Sequence, residues 1–409
     1  MIRSLSVVSP LLLGVAILLA GQGLQGTLLP VRANLEEFSA LAIGLMGGTF
    51  YFGFTLGCLR GSRLVRRVGH IRVFAAMTAA ASAAPLLHGL WVDIWVWALL
   101  RCITGYCFAV LYVVIESWLN ELSTNETRGA VFSVYTLITL TMMAGGQQML
   151  LLYDPQQMAL FAIASALVSI AAIPVVLSIA PSPAHADAEA KVNLRRLFEI
   201  SPAGALGCLA AGLANGAFWS LAPVFVADFS PDVSIAAWFM TAAVLGGAAG
   251  QWPLGLWSDR IDRRWVMALV TAVGAIIGLL TWWSFRDVST IQLMALSALW
   301  GAVAFPLYAI SVAQANDFAD AGEYVMISGS LLLMYGIGAI AGPFLAPVAM
   351  YFSDGGGLYL FSAIVHLVFL LYILYRMTRR APAPEDEHLP FADSLASTQT
   401  ASVIYEDEL

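Results

Sequence analysis

The sequence predicts an all-α integral membrane protein, with twelve transmembrane helices in two pseudo-symmetric six-helix bundles. Three observations predict it. The 409-residue chain is 60% apolar and 11% charged, whereas a soluble domain carries about 25% charged residues. Its charges cluster between apolar tracts that reach the roughly 20 residues a helix needs to cross the hydrocarbon core. Short motifs also recur between the two halves at a nearly constant offset. Strands of a membrane barrel would be about half this length and would alternate in polarity.

In chain order, residues 4–31, 38–59 and 73–92 carry no charge. Residues 93–120 form the fourth span, apolar apart from Asp93, Arg101 and Glu116, and 129–153 and 155–186 complete the first half. The second half follows with 200–227, 233–258, 265–285, 288–316, 324–353 and 355–375. The first tract is too long for a signal peptide and lacks an A-x-A-like site, so it is expected to be retained. The polar, Ala- and Pro-rich stretch 181–193, PSPAHADAEAKVN, reads as a linker. The expected organisation is thus a bundle over 1–180, a cytoplasmic linker over 181–196 and a second bundle over 197–380. Residues 381–409, with EDEH and YEDEL, read as a disordered acidic tail.

Basic residues orient the chain. Sixteen Lys and Arg fall in loops on the side of the termini, only Arg32 and Arg286 fall opposite, and Arg101 lies inside a span. The positive-inside rule then predicts that both termini are cytoplasmic. The cysteines Cys58, Cys102, Cys107 and Cys208 have no disulfide or zinc spacing. Met142, Met143 and Met149 read as flexible packing, and His88 and His366 as satisfied groups near span ends. The sequon Asn125-Glu126-Thr127 lies on a predicted cytoplasmic loop. With no phosphate-binding loop, metal cluster or converging catalytic groups in the sequence, neither a cofactor, a metal nor enzyme activity is expected. Energy for any work would come from a gradient.

The halves resemble each other in three places. LLPVRA at 28–33 matches LAPVFV at 221–226, which sets Gln22-Gly23 on Asn215-Gly216. RLVRR at 63–67 matches RIDRR at 260–264. Gly105, Tyr112, Asn120 and Glu121 match Gly301, Tyr308, Asn316 and Asp317. Paired halves are the architecture of many secondary transporters, whose sites lie near the bilayer midplane.

The loop GLWSDRIDRR, 255–264, resembles the G-x-x-x-D-R-x-x-R-R loop of the major facilitator superfamily, with Asp262 where glycine is usual. LRGSRLVRRVGHIR, 59–72, keeps Arg63, Arg66 and Arg67 but has Ser62 in the aspartate position. Arg101 to Gly105 resembles that family's R-x-x-x-G motif, and GHIR, VVIESWLN and QGLQGTLLP resemble its YcaD-like branch. The resemblance implies a secondary transporter in the bacterial inner membrane that moves a small organic solute by alternating access, with possible proton coupling. It implies a monomer whose partners are the lipid bilayer, the solute and protons, with no nucleic acid. A facilitator without ion coupling, or a non-transporting receptor or scaffold, stays open.

Within the fourth span, Trp97, Arg101, Gly105, Phe108, Tyr112 and Glu116 share one helical stripe. Arg101 lies about 12 Å in from the outer end and Glu116 about 6 Å from the inner end. About 22 Å of helix separates them, so each needs its own partner or a wet cavity. Arg101 reads either as an anion-attracting or coupling residue or as a structural arginine bonded to neighbouring helices. Its repeat position is Ser297, so the charge exists in one half only. Glu116 reads as a proton-exchanging carboxylate or as the gate partner of Arg63, Arg66, Arg67 or Arg128. The glycine-rich segments GQGLQGTLLP and AGLANGAFWSLAP add Gln22, Gln25, Asn215 and Trp219 as cavity candidates, and Tyr112 and Tyr308 join them. Carried over from the family, Asp259, Arg260, Arg263 and Arg264 would latch one closed state on the cytoplasmic side. Asp317 is the expected partner of that loop, and Glu121 that of the first loop by the repeat. Solvated topology charges are the alternative reading of these loops.

Overall fold

An apolar tract in hydrocarbon has to satisfy its own backbone N–H and C=O groups, and here the tracts do so as helices. The computed structural model describes residues 2–124, 127–178, 192–320, 323–353, 355–379 and Phe391. The sequon's Asn125 and Glu126, the expected linker over 181–191 and the expected tail apart from Phe391 lie outside the described residues. The first half comprises α1 (Ile2–Leu35), α2 (Ala40–Val68), α3 (His70–Leu90), α4 (Ile94–Glu121) and α5 (Arg128–Gln148), then α6 (Met158–Ile170) and α7 (Ala172–Val176). After the short α8 (Leu194–Ile200) come α9 (Pro202–Phe229), α10 (Val233–Ser258), α11 (Arg263–Ser284), α12 (Thr290–Ala304), α13 (Pro306–Asn316), α14 (Tyr324–Phe352) and α15 (Gly357–Met377). Among the described residues twelve helical stretches are long and apolar enough to span a membrane, with α6–α7 and α12–α13 each making one.

Local chemistry sets several helix starts. Asp93 accepts the N–H groups of Trp95 and Val96 to open α4, and Ser201 accepts that of Gly204 ahead of Pro202 at α9. Ser289 and Gln292 form a capping box at α12. Between α12 and α13, Pro306 has no N–H to donate, yet Phe305 keeps helical angles (φ −69°, ψ −39°), so the span continues with one bond missing. Gly69 makes the tight α2–α3 turn at φ 93°. Asn193 caps α8, its own N–H reaches Ser330 Oγ on α14, and Arg196 grips Glu323 with two bonds of 2.8 and 3.1 Å. That guanidinium holds the Glu323 carboxyl below its ordinary range.

The chain forms two units. The first is Met1–Phe38 with Thr49–Ala190, and in it α1 packs on α5 and α6 while α3 packs on α4 and α6. The second is Ser39–Gly48 with Lys191–Leu409, where α9 packs on α14, α10 on α12 and α11 on α15. Lipid tails are as apolar as leucine, so helices associate in a bilayer through close packing rather than apolar burial. Glycine supplies that closeness at repeat-related positions. Gly53 and Gly57 of α2 press on the backbone of α4 at Cys102 and Tyr106, and Gly105 of α4 presses back on Phe50. In the second unit Gly246 and Gly250 of α10 meet Ala298 and Ala302, and Gly301 meets Ala243. A Cβ at any of these six would run into a carbonyl. The same holds for Gly338 and Gly342 in the GIGAIAGP segment of α14, which rest on Leu209 and Leu213 of α9.

Gly250→Leu should therefore destabilise the second unit by about 1–3 kcal/mol through overpacking. Gly145→Ala, where nothing lies within 4 Å, should leave the unfolding temperature in detergent unchanged. Equal thermal stability of the two variants would contradict this packing role.

Candidate functional site

The densest charge network lies where α10 ends and α11 begins. Asp262 caps α11 by accepting the Arg264 N–H, and it folds the Arg264 guanidinium onto itself at 2.7 Å. The aspartate in place of the usual glycine thus has a helix-start role. Arg263, on the first turn of α11, has a fully buried side chain. Its Nε and Nη2 donate to the two oxygens of Asp317 at 2.7 and 3.3 Å, and Nη1 donates to Ser258 Oγ at 3.0 Å and Asp259 Oδ1 at 2.9 Å. Asp317, directly after α13, is 1% exposed in its side chain. Two carboxylates and a hydroxyl thus compensate one guanidinium out of water. Arg260 is exposed on the same loop.

The first unit is built differently at the matching place. Ser62 is buried, and Arg63, Arg66 and Arg67 are exposed. Glu121 is exposed and pairs with none of the described residues, so the structure does not bring it to the first arginine loop. His70, from the GHIR stretch, is instead buried with Nε2 3.0 Å from Ser117 Oγ and its ring beside Trp118.

Deeper in each unit are the cavity candidates. The Tyr112 hydroxyl donates to Gln22 Oε1 at 2.7 Å, joining α4 to α1. At the repeat position Asn215 meets the Tyr335 hydroxyl of α14, and the Tyr335 ring lies edge-on to Tyr308, 4.8 Å between centroids. Gln25 is 2% exposed with Nε2 lacking any acceptor among the described residues, and Asn215 Oδ1 likewise lacks a donor. Leaving such atoms unmet costs about 1–3 kcal/mol each, the kind of deficit a bound polar molecule or water removes. Trp219 stacks on Phe305, 5.4 Å between centroids and 10° between planes, at the α12–α13 junction.

Arg101 is part-buried in α4 with its guanidinium carbon 4.0 Å above the Phe50 ring. Among the described residues that guanidinium forms no ion pair and no hydrogen bond, and the Tyr51 hydroxyl lies within its electrostatic reach. Ser297, at the repeat position, is consumed by architecture: its hydroxyl donates to the Phe239 carbonyl at 2.9 Å. Glu116 is 5% exposed and accepts from the Tyr135 hydroxyl at 3.2 Å, with Tyr112 and Cys58 close by. Phe50, Tyr135, Ser258 and Tyr335 take part in these sites although the sequence offered no periodic or motif signal for them.

Comparison with known proteins supplies the wider frame. The family model described as Major Facilitator Superfamily matches residues 11–203 and 204–403. The Yersinia enterocolitica protein named "Uncharacterized MFS-type transporter YE1530" is 25% identical over 389 residues, 93% of this chain and 97% of that protein. "Uncharacterized MFS-type transporter YcaD" of Escherichia coli is 26% identical over 379 residues, 91% of this chain and 96% of that one. Among solved structures, the nucleoside transporter NupG superposes with TM-score 0.75 at 14% identity, covering 91% of this chain and 99% of NupG. The E. coli fucose:proton symporter FucP superposes with TM-score 0.55 at 17% identity, covering 90% of this chain and 97% of FucP. At these identities the structural likeness speaks for the fold.

Asp317→Ala should strand a buried guanidinium and cost about 3–5 kcal/mol. Arg260→Ala, on the exposed side of the same loop, should change stability by less than about 0.5 kcal/mol. Thermal unfolding of both variants checks the pair, and similar melting temperatures would refute the buried network.

Proposed function

The chain belongs to the major facilitator superfamily and is a multi-pass membrane protein; from that premise we propose that it is a proton-coupled secondary transporter of a small organic solute. It works in the bacterial inner membrane by alternating access, with both termini cytoplasmic. The observation that carries the reading is Arg101. A cation within a span costs roughly 2.5–3.5 kcal/mol on insertion scales, and a purely structural one would be matched by acceptors. This one has an aromatic face beneath it and forms no ion pair or hydrogen bond among the described residues. Such a group is free to meet the negative or polar part of a solute. Gln22, Gln25 and Tyr112 offer hydrogen bonds within the same unit as Arg101.

Glu116 is the proton-carrying group in this reading. It is a carboxyl out of bulk water whose neighbour is a hydroxyl that can serve either protonation state. The Asp259–Arg263–Asp317 network is the cytoplasmic latch, made in one state of the cycle and opened in another. The membership of the family and the likeness to transporter folds support this reading.

A thermal-shift screen of solutes on the purified protein, followed by counterflow in proteoliposomes with any stabilising solute, tests it. Arg101→Ala should weaken apparent solute affinity about 10- to 100-fold, the worth of a charge-assisted bond, while the protein still inserts and melts normally. Arg101→Lys should restore part of it if charge alone matters and little if the planar fork is used. Wild-type counterflow in Arg101→Ala would remove this residue from the site. Glu116→Gln should abolish pH-driven uptake and keep counterflow, and retained pH dependence would reassign Glu116 to a gate pair with the arginines of its own unit.

A further inference from the structure

The loop that buries Arg263 also holds a residue from far along the chain. Phe391 is 4% exposed, and its backbone N–H donates to both oxygens of the Asp259 carboxylate, at 2.9 and 3.1 Å. Its ring lies over Gly255 in the last turn of α10, in the space a side chain at that position would fill. It belongs to the apolar cluster that includes Leu197 and Ile200 of α8, Val266 of α11 and Ile373 of α15. Gly255 and Asp259 stand one helical turn apart, so the hole and the acceptor present themselves on one face.

We propose that the end of α10 is a docking site for the chain's own C-terminal segment, with Phe391 as its apolar anchor and Asp259 as the acceptor of its backbone. The segment is long enough. Eleven residues lie between Arg379, the last described residue after α15, and Phe391, and twelve extended steps from one to the other span about 40 Å. Charge favours the same partner. Glu385, Asp386, Glu387 and Asp393 flank Phe391 in sequence, and the receiving loop carries the exposed Arg260. Burying a phenylalanine side chain is worth roughly 10- to 100-fold in a docking equilibrium, which fits a contact that holds yet releases.

Docking reaches the latch through one carboxylate. Asp259 accepts from Arg263 Nη1 and from the Phe391 N–H together. With Phe391 in place, Asp259 accepts from it and from Arg263 together; without it, Arg263 is the one donor left to the carboxylate among the described residues. The docked segment therefore biases the chain toward the state in which the Arg263 network is made. That consequence rests on the transport reading, whereas the docking itself does not.

Hydrogen–deuterium exchange on the full-length protein in nanodiscs tests the docking without any solute. In Phe391→Ala the amides of 255–264 should exchange about tenfold faster, and those of 49–68 at the wild-type rate. Phe391→Leu, which still fills the hole, should show a smaller increase. Unchanged exchange over 255–264 in Phe391→Ala overturns the proposal. A diazirine-bearing phenylalanine at position 391 covers the case in which the alanine variant does not fold. Photolysis should join it to the tryptic fragment containing Gly255, and attachment elsewhere or none would equally overturn it.

Discussion

A guanidinium drawn into a helical bundle needs something to complement its charge, and two arginines of this chain, one fully buried and one part-buried, meet that requirement in opposite ways. Arg263 has a full set of acceptors from Ser258, Asp259 and Asp317, so its charge is compensated and its position determined. Arg101 has the face of Phe50. The contrast separates two uses of buried charge. A compensated pair fixes geometry, and its removal costs stability because the remaining partner is stranded. An uncompensated cation keeps its capacity to bind and is tolerated where a cavity or ligand can complete it.

The glycine seams make both uses possible. Gly53, Gly57 and Gly105 in the first unit, and Gly246, Gly250 and Gly301 in the second, bring helix backbones close enough to form a rigid frame without apolar driving force. On that frame the two units diverged in their polar positions. Arg101 stands against Ser297, Ser62 against Asp259, and Glu121 against Asp317. The second unit buries an arginine in its loop network, and the first carries one within a span. Packing positions follow the repeat and chemical positions depart from it.

The loop network also shows how a single departure from a motif acquires meaning. Asp262, placed where a glycine is usual, caps α11 and holds the buried Arg264, which leaves Asp259 and Asp317 to Arg263. Asp259 is shared between Arg263 and Phe391, so one carboxylate couples a helix start to a distant segment. Shared acceptors of this kind are where a small change at one end alters a bond at the other.

By itself the sequence determined the twelve spans, the pairing of the halves and the candidate polar stripe on α4. Those follow from local quantities: apolar length against bilayer thickness, helical periodicity and a constant offset between motifs. It also pointed to Asp317 as the partner of the second arginine loop, because the repeat and the family motif constrained that pair. Tertiary structure alone decided that Glu121 stays in solvent, that Tyr335 stands between Asn215 and Tyr308, and that Phe50 lies beneath Arg101. It alone brought Phe391 to Asp259 across 132 positions. Hydropathy and period report which face of a helix is buried. Which atoms meet there depends on helix rotation and backbone separation, which the glycine contacts set to within a carbonyl's width.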